Sequence, residues 1–175
     1  MQKLKTYLSP KEVPYILSAA LLGTLCHFLY EWSGQAAFFA LFCPVNESPW
    51  EHLKLLFFPV FIISVLQYLM HRRYLPAKRF FYSRFLGVLC AMAFILAAFY
   101  TYSGIFGSHF LVLDIVVYLA GVLTAFLVSA YFLRFTRKCV PDSAIIIALW
   151  LSLSICFFVF TCFPPEIPLF LPPVQ

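Results

Sequence analysis

Residues 143–163 read SAIIIALWLSLSICFFVFTCF, an unbroken apolar run without one charged side chain. An α-helix crosses the ~30 Å hydrocarbon core of a bilayer in about 20 residues, so this stretch has the length and polarity of a membrane span. Four more runs share the pattern, at roughly 13–32, 51–70, 82–102 and 112–134. Lipid offers no partner to backbone N–H and C=O groups, so segments of this kind close their hydrogen bonds internally, as helices. The composition agrees. Of 175 residues, 63% are hydrophobic and 11% charged, with a mean hydropathy of +0.93. A soluble domain is nearer half apolar and a quarter charged. The expected fold is therefore an all-α polytopic bundle of about five transmembrane helices, in one integral membrane domain over residues 1–175.

The connections set the expected orientation. Lys3, Lys5 and Lys11 precede the first run. Arg72, Arg73, Lys78, Arg79 and Arg84 lie around the second connection, and Arg134, Arg137 and Lys138 around the fourth. Eleven of the twelve basic residues thus share one side, and Lys54 alone lies on the other. The positive-inside rule makes the crowded side cytoplasmic. The N-terminus is then inside, five spans leave the C-terminus outside, and the cell (cytoplasmic) membrane is the expected location. The first run resembles a signal peptide in its lysine-rich start. It is long, has no clear small-residue cleavage site and ends in Tyr30-Glu31-Trp32, so it reads as a retained helix. Basic clusters between apolar runs are not a nucleic-acid surface.

The acids and imidazoles sort the other way. Glu31, Glu47, Glu51, Asp114 and Glu166, with His27, His52 and His109, all fall at the outer helix ends or outer loops. His27 and Glu31 are one helical turn apart on one face. Within Pro44-Val45-Asn46-Glu47-Ser48-Pro49-Trp50-Glu51-His52-Leu53-Lys54, Ser48 and Glu51 fit a capping box, with Pro49 at the first helical position. Capping leaves His52 and Lys54 unexplained. Lys54 needs a carboxylate, Glu51 or Glu47, because a lone ammonium near lipid is costly. Each group also has a plain local reading: Asp114 as an N-terminal cap, Tyr100 and Tyr102 as interfacial anchors, His109 as a solvated loop residue, Asn46 as a turn former.

Six cysteines form no CxxC pair; Cys90 and Cys156 read as packing residues, and Cys43 and Cys162 are placed to meet on the outer side. Phosphate loops, HExxH, GxSxG and internal repeats are absent. The tail Pro164-Pro165-Glu166-Ile167-Pro168-Leu169-Phe170-Leu171-Pro172-Pro173 cannot be helical and should lie at the membrane surface or over the helix ends.

His27-Phe28-Leu29-Tyr30-Glu31-Trp32-Ser33-Gly34, Val45-Asn46-Glu47-Ser48, Trp50-Glu51-His52-Leu53-Lys54, Tyr100-Thr101-Tyr102-Ser103-Gly104 and Asp114-Ile115 together resemble a family of small bacterial integral membrane proteins of unknown function. The ending Leu171-Pro172-Pro173-Val174-Gln175 departs from that pattern, where an Asp-Pro and a Gly-Tyr-Gly-like ending are expected. The resemblance implies a bacterial membrane protein and no particular activity.

Imidazoles and carboxylates gathered at one end suit a divalent ion such as zinc. The functional expectation is a membrane-embedded, metal-dependent hydrolase or transferase. His27, Glu31 and His52 are the candidate metal ligands, Glu51 and Asp114 the acid/base groups, and Lys54 the electrostatic stabiliser. The ligand is expected to be a lipid or small polar molecule at the outer face. The alternative is a non-enzymatic ion or small-molecule binder, whether transporter, sensor or accessory subunit. The sharpest expectation is geometric. His27 and at least two of Glu31, Glu51, His52 and Asp114 should converge on one pocket, rimmed by the first loop and the tail.

Overall fold

The structure is a computed structural model that describes residues 10–135 and 140–172; Lys3, Lys5, Arg137, Lys138, Cys139 and Pro173 onwards lie outside the described residues. Among the described residues it is all helical. Five helices are long and apolar enough to cross a membrane: α1 (Val13–Trp32), α2 (Pro49–His71), α3 (Ala77–Phe106), α4 (Leu111–Phe135) and α5 (Ser143–Cys162). They run alternately up and down. At one end Tyr15 of α1 meets His71 of α2, and Lys78 of α3 meets Asp142 just before α5. At the other, Tyr102 of α3 meets Asp114 of α4, and Thr161 of α5 meets Glu51 of α2. The described Arg residues and Lys78 gather at or near the first, basic end. The second is called the distal end below.

α3 is longer than the apolar run at 82–102. Its N-terminal extension carries Lys78 and Arg79, good helix formers that tolerate the headgroup region, and it ends where Gly107 takes the left-handed conformation (φ 72°). α2 is the hub. Protein shields 61% of its most apolar window, against 17–28% for the other four helices. Leu56, Phe57, Val60, Val88, Ala125, Phe126 and Phe157 fill the core around it. The other helices turn Leu17, Leu21, Val116, Leu151 and Ile155 outward, as a lipid-facing surface requires. Cys90 is on that surface rather than in the packing, and Cys156 is half-buried.

Close approach of α1 to α2 depends on two residues that break ordinary helix rules. Pro59 has no N–H to offer the Leu55 carbonyl one turn back. Gly23 of α1 packs against that carbonyl, and a Cβ there would overlap both the Leu55 oxygen and the Tyr118 hydroxyl. Tyr118 in turn donates to Ala20 O at 3.0 Å, tying α4 to α1. Gly23→Ala is expected to cost about 1–3 kcal/mol, because backbone, unlike a side-chain tip, cannot swing away. Gly104→Ala, at a helical site with nothing within 4 Å, should be neutral or slightly stabilising. Thermal unfolding in detergent of the two variants beside wild type checks this; equal midpoints would refute the close-packing account.

At the basic end Arg84 is 2% exposed and donates to Gln67 Oε1 at 2.8 Å, while its Nη2 lies 3.5 Å from Glu12 Oε2. Its guanidinium also sits 4.1 Å from the Phe126 ring centre. A cation buried this deeply is retained only with such partners. The tail folds over the distal end without helix, as its prolines require. Trp50 N donates to Leu169 O at 3.0 Å, and the Phe170 ring packs at an angle against Trp50 and edge-on to Phe160, each 5.1 Å away between ring centres.

Candidate functional site

The segment before α2 organises the distal end. Asn46 Oδ1 accepts from Ser48 N at 2.9 Å, an Asx turn that aims the chain into the helix. Ser48 Oγ caps Glu51 N at 3.4 Å. The reciprocal half of the expected capping box is not made. Glu51 instead reaches past the cap to Val45 N (3.0 Å) and accepts from Thr161 Oγ1 (2.9 Å) and from Lys54 Nζ (2.7 Å). Lys54 completes its three donations on Ala40 O (2.9 Å) and Cys43 O (3.4 Å) and is fully buried. Glu51 and Lys54 therefore form a sealed knot joining the first loop, α2 and α5. Every Lys54 proton is engaged, and neither residue is among those lining the two distal cavities of about 380 and 450 Å³.

One residue on, His52 projects to a different side of the helix. Its Nδ1 lies 3.0 Å from Ser48 O, and its Nε2 lies 3.3 Å from Glu47 Oε2. His27, one turn beyond Gly23 on α1, brings its ring to 5.4 Å from that of His52. One ligand-capable atom from each of His27, Glu47 and His52 lies within 4.8 Å of the others. The Nδ1 of His27 is buried without a hydrogen-bond partner.

The proton positions are decided by chemistry. A carbonyl oxygen only accepts, so His52 Nδ1 carries hydrogen toward Ser48 O. In neutral imidazole Nε2 is then a bare acceptor, facing a carboxylate oxygen that is also an acceptor. Two acceptors at 3.3 Å need a positive centre between them, either a second proton on His52 or a bound cation. The imidazole's hydrogen bond holds the Glu47 carboxyl below its usual range, against the opposing effect of partial burial. Ring N–H donation to a backbone carbonyl is also the usual device that orients a histidine toward a metal through its other nitrogen.

Beyond His52 opens a cavity of about 380 Å³, whose lining includes Glu47, His52, His109, Asp114, Phe99 and Pro172. Across it stands a second carboxylate–imidazole pair. Asp114 accepts from the Tyr102 hydroxyl and lies 3.3 Å from His109 Nδ1. Asp114 is the fourth residue of α4 rather than its cap, so its carboxylate is free for these side chains.

Of the residues expected to converge, His27 and His52 meet, and Asp114 shares a cavity with His52. Glu31 is exposed on the last turn of α1 and outside the group of three. Glu51 and Lys54 are in the knot. The rim is formed as expected, from the first loop through Glu47 and from the tail through Pro172. Glu47 takes the place assigned to Glu31, and His109 and Tyr102 join the site from plain local roles. No spacing in the sequence singles out Glu47 as the partner of His52, and none links Asp114 to Tyr102. Cys43 and Cys162 are free thiols. Cys43 instead packs in one buried cluster with Cys26 and Leu55, and the neighbouring thiol together with burial pushes the Cys43 thiol up.

A family model, DUF6512, described as a family of unknown function, matches residues 3–175. No curated protein and no solved structure matches the chain.

Proposed function

The chain belongs to DUF6512, and from its distal site we propose a membrane-embedded, metal-dependent hydrolase or transferase in which His27, Glu47 and His52 hold one divalent ion, zinc by preference. The observation that carries the reading is the His52–Glu47 contact. A His52 nitrogen and a Glu47 carboxylate oxygen stand 3.3 Å apart beside a buried imidazole nitrogen of His27 that has no hydrogen-bond partner among the described residues. Ligands at ~2.1 Å in tetrahedral array are separated by about 3.4 Å, so this edge is already at ligand spacing. His27 needs a side-chain shift of about an ångström to close the set.

Three protein ligands with an open fourth position mark catalytic rather than structural zinc sites. A divalent ion held by these three residues would supply an activated water to the cavity that Glu47, His52 and Asp114 line. Asp114, which accepts from Tyr102 and lies beside His109, would hold the proton released there. The apolar core between this site and the basic end, formed by Leu56, Val60, Val88 and Val122, argues against a transport path among the described residues. Metal analysis of the purified protein tests the proposal, with about one equivalent expected and its loss in His27→Ala and His52→Ala.

We place this site on the extracytoplasmic side of the cell membrane, from the basic asymmetry of the connections. A reporter fused after Gln175 should then read outside, and one inserted near Pro76 inside. Both on one side would overturn the topology.

A further inference from the structure

We propose that the ligand of this site is a lipid-like amphiphile, an acyl chain carrying an uncharged or zwitterionic head group. The head is taken beside the ion that His52 would hold and at Asp114, and the chain is laid down between α2, α3 and α4. The proposal rests on the metal reading for the head group only; the place of the chain comes from the cavity wall.

That wall is graded along the bundle. Each of three helices contributes a polar or wide group at the mouth and an apolar one deeper. On α2, Leu55 follows His52; on α4, Val117 follows Asp114; on α3, which runs the other way, Ile95 and Leu96 lie below Phe99. Three or four residues are about 5–6 Å of depth. A small hydrophilic ligand would leave this apolar floor either empty or filled with water that has no partners there, and neither is favourable. A second, mostly apolar cavity of about 450 Å³ shares Pro49, Phe99, His109 and Pro172 with the first. It continues along α3 past Gly104 to Leu171 of the tail. Its volume and that of the first each fall in the range used by small organic ligands. The two therefore read as one continuous amphipathic site inside a membrane-spanning bundle, where such a molecule arrives through the bilayer.

The head group follows from charge. Glu47 and Asp114 line the site, no Lys or Arg does, and Lys54 is sealed in its knot. The Glu47 and Asp114 carboxylates already balance the charge of a divalent ion held there, and polyanionic heads are otherwise held by Arg or Lys clusters, so a head without net negative charge is the better fit.

The experiment is photolabelling in detergent with a monoacylglycerol bearing a diazirine in its acyl chain. Unlabelled monoacylglycerol at about ten times its Kd should cut labelling of the 95–99 and 117–118 segments roughly tenfold. Glycerol should leave labelling unchanged, and the monoacyl phosphate should compete less well. Ile95→Trp should abolish the competed fraction while the metal content stays at the wild-type value. Labelling that no lipid competes, or that glycerol competes equally, overturns the proposal. Equal competition by the phosphate overturns the uncharged head. Competed labelling in a protein that carries no metal supports the chain site and overturns the metal reading alone.

Discussion

Glu51→Ala is expected to destabilise the folded bundle by about 3–5 kcal/mol, the cost of stranding one partner of a buried ion pair. Lys54 would keep its two carbonyl acceptors and lose its only counter-charge, 2.7 Å away. Val45 N would lose its acceptor in the same step, while Thr161 would keep the Phe157 carbonyl at 2.8 Å. Lys54→Met should cost less than Glu51→Ala. It removes the cation, but it leaves a carboxylate that can take a proton and still accept from Val45 and Thr161. The double variant Glu51→Gln with Lys54→Met should recover much of the loss, because it removes both charges and retains an acceptor. Chemical unfolding in detergent, followed by the near-ultraviolet signal of the three tryptophans, reads all four proteins. A Glu51→Ala variant as stable as wild type would mean that Lys54 is not sealed as described, and the knot would return to the list of candidate catalytic groups.

The second large effect separates ligands from chemistry. His52→Ala should weaken divalent-metal binding by at least about 100-fold, more than the loss of an orienting partner usually costs. Glu47→Gln should weaken it too, by removing the anionic ligand. Glu31→Gln should not, since Glu31 is exposed and outside the cluster. Asp114→Asn should keep the metal and slow turnover by about 10²–10⁴-fold, the usual worth of a positioned acid or base. Because both imidazoles must be neutral to ligate, affinity should fall as acid pH protonates them. Metal content by mass spectrometry across a pH series checks the ligand set without an assay. If His52→Ala binds metal as tightly as wild type, the bridge between His52 and Glu47 is a proton. The site is then an imidazolium–carboxylate pair, and the reading passes to the non-enzymatic binder.

The sequence alone was enough for the five spans, because hydrophobic length is a one-dimensional property and lipid leaves helices as the simplest way to satisfy the backbone. It was enough too for the gathering of acids and imidazoles at one end, since alternate helices return each loop to the same side. It also foresaw that Lys54 would need a carboxylate, because Glu51 is close in the chain and a bare cation is costly there. The division of those polar groups into a structural knot and an open site was decided only by the tertiary structure. Glu51 and His52 are neighbours, yet about 100° of helical rotation turns one into the packed interior and the other toward the cavity. Which of them is buried depends on where α5 and the first loop pack. Glu47 displaces Glu31 for a similar reason. The contact of Gly23 with the Leu55 carbonyl, which Pro59 leaves without its helical donor, sets how closely α1 meets α2, and so it places His27 over His52. That distance is a property of two backbones in contact, and no spacing within either helix records it.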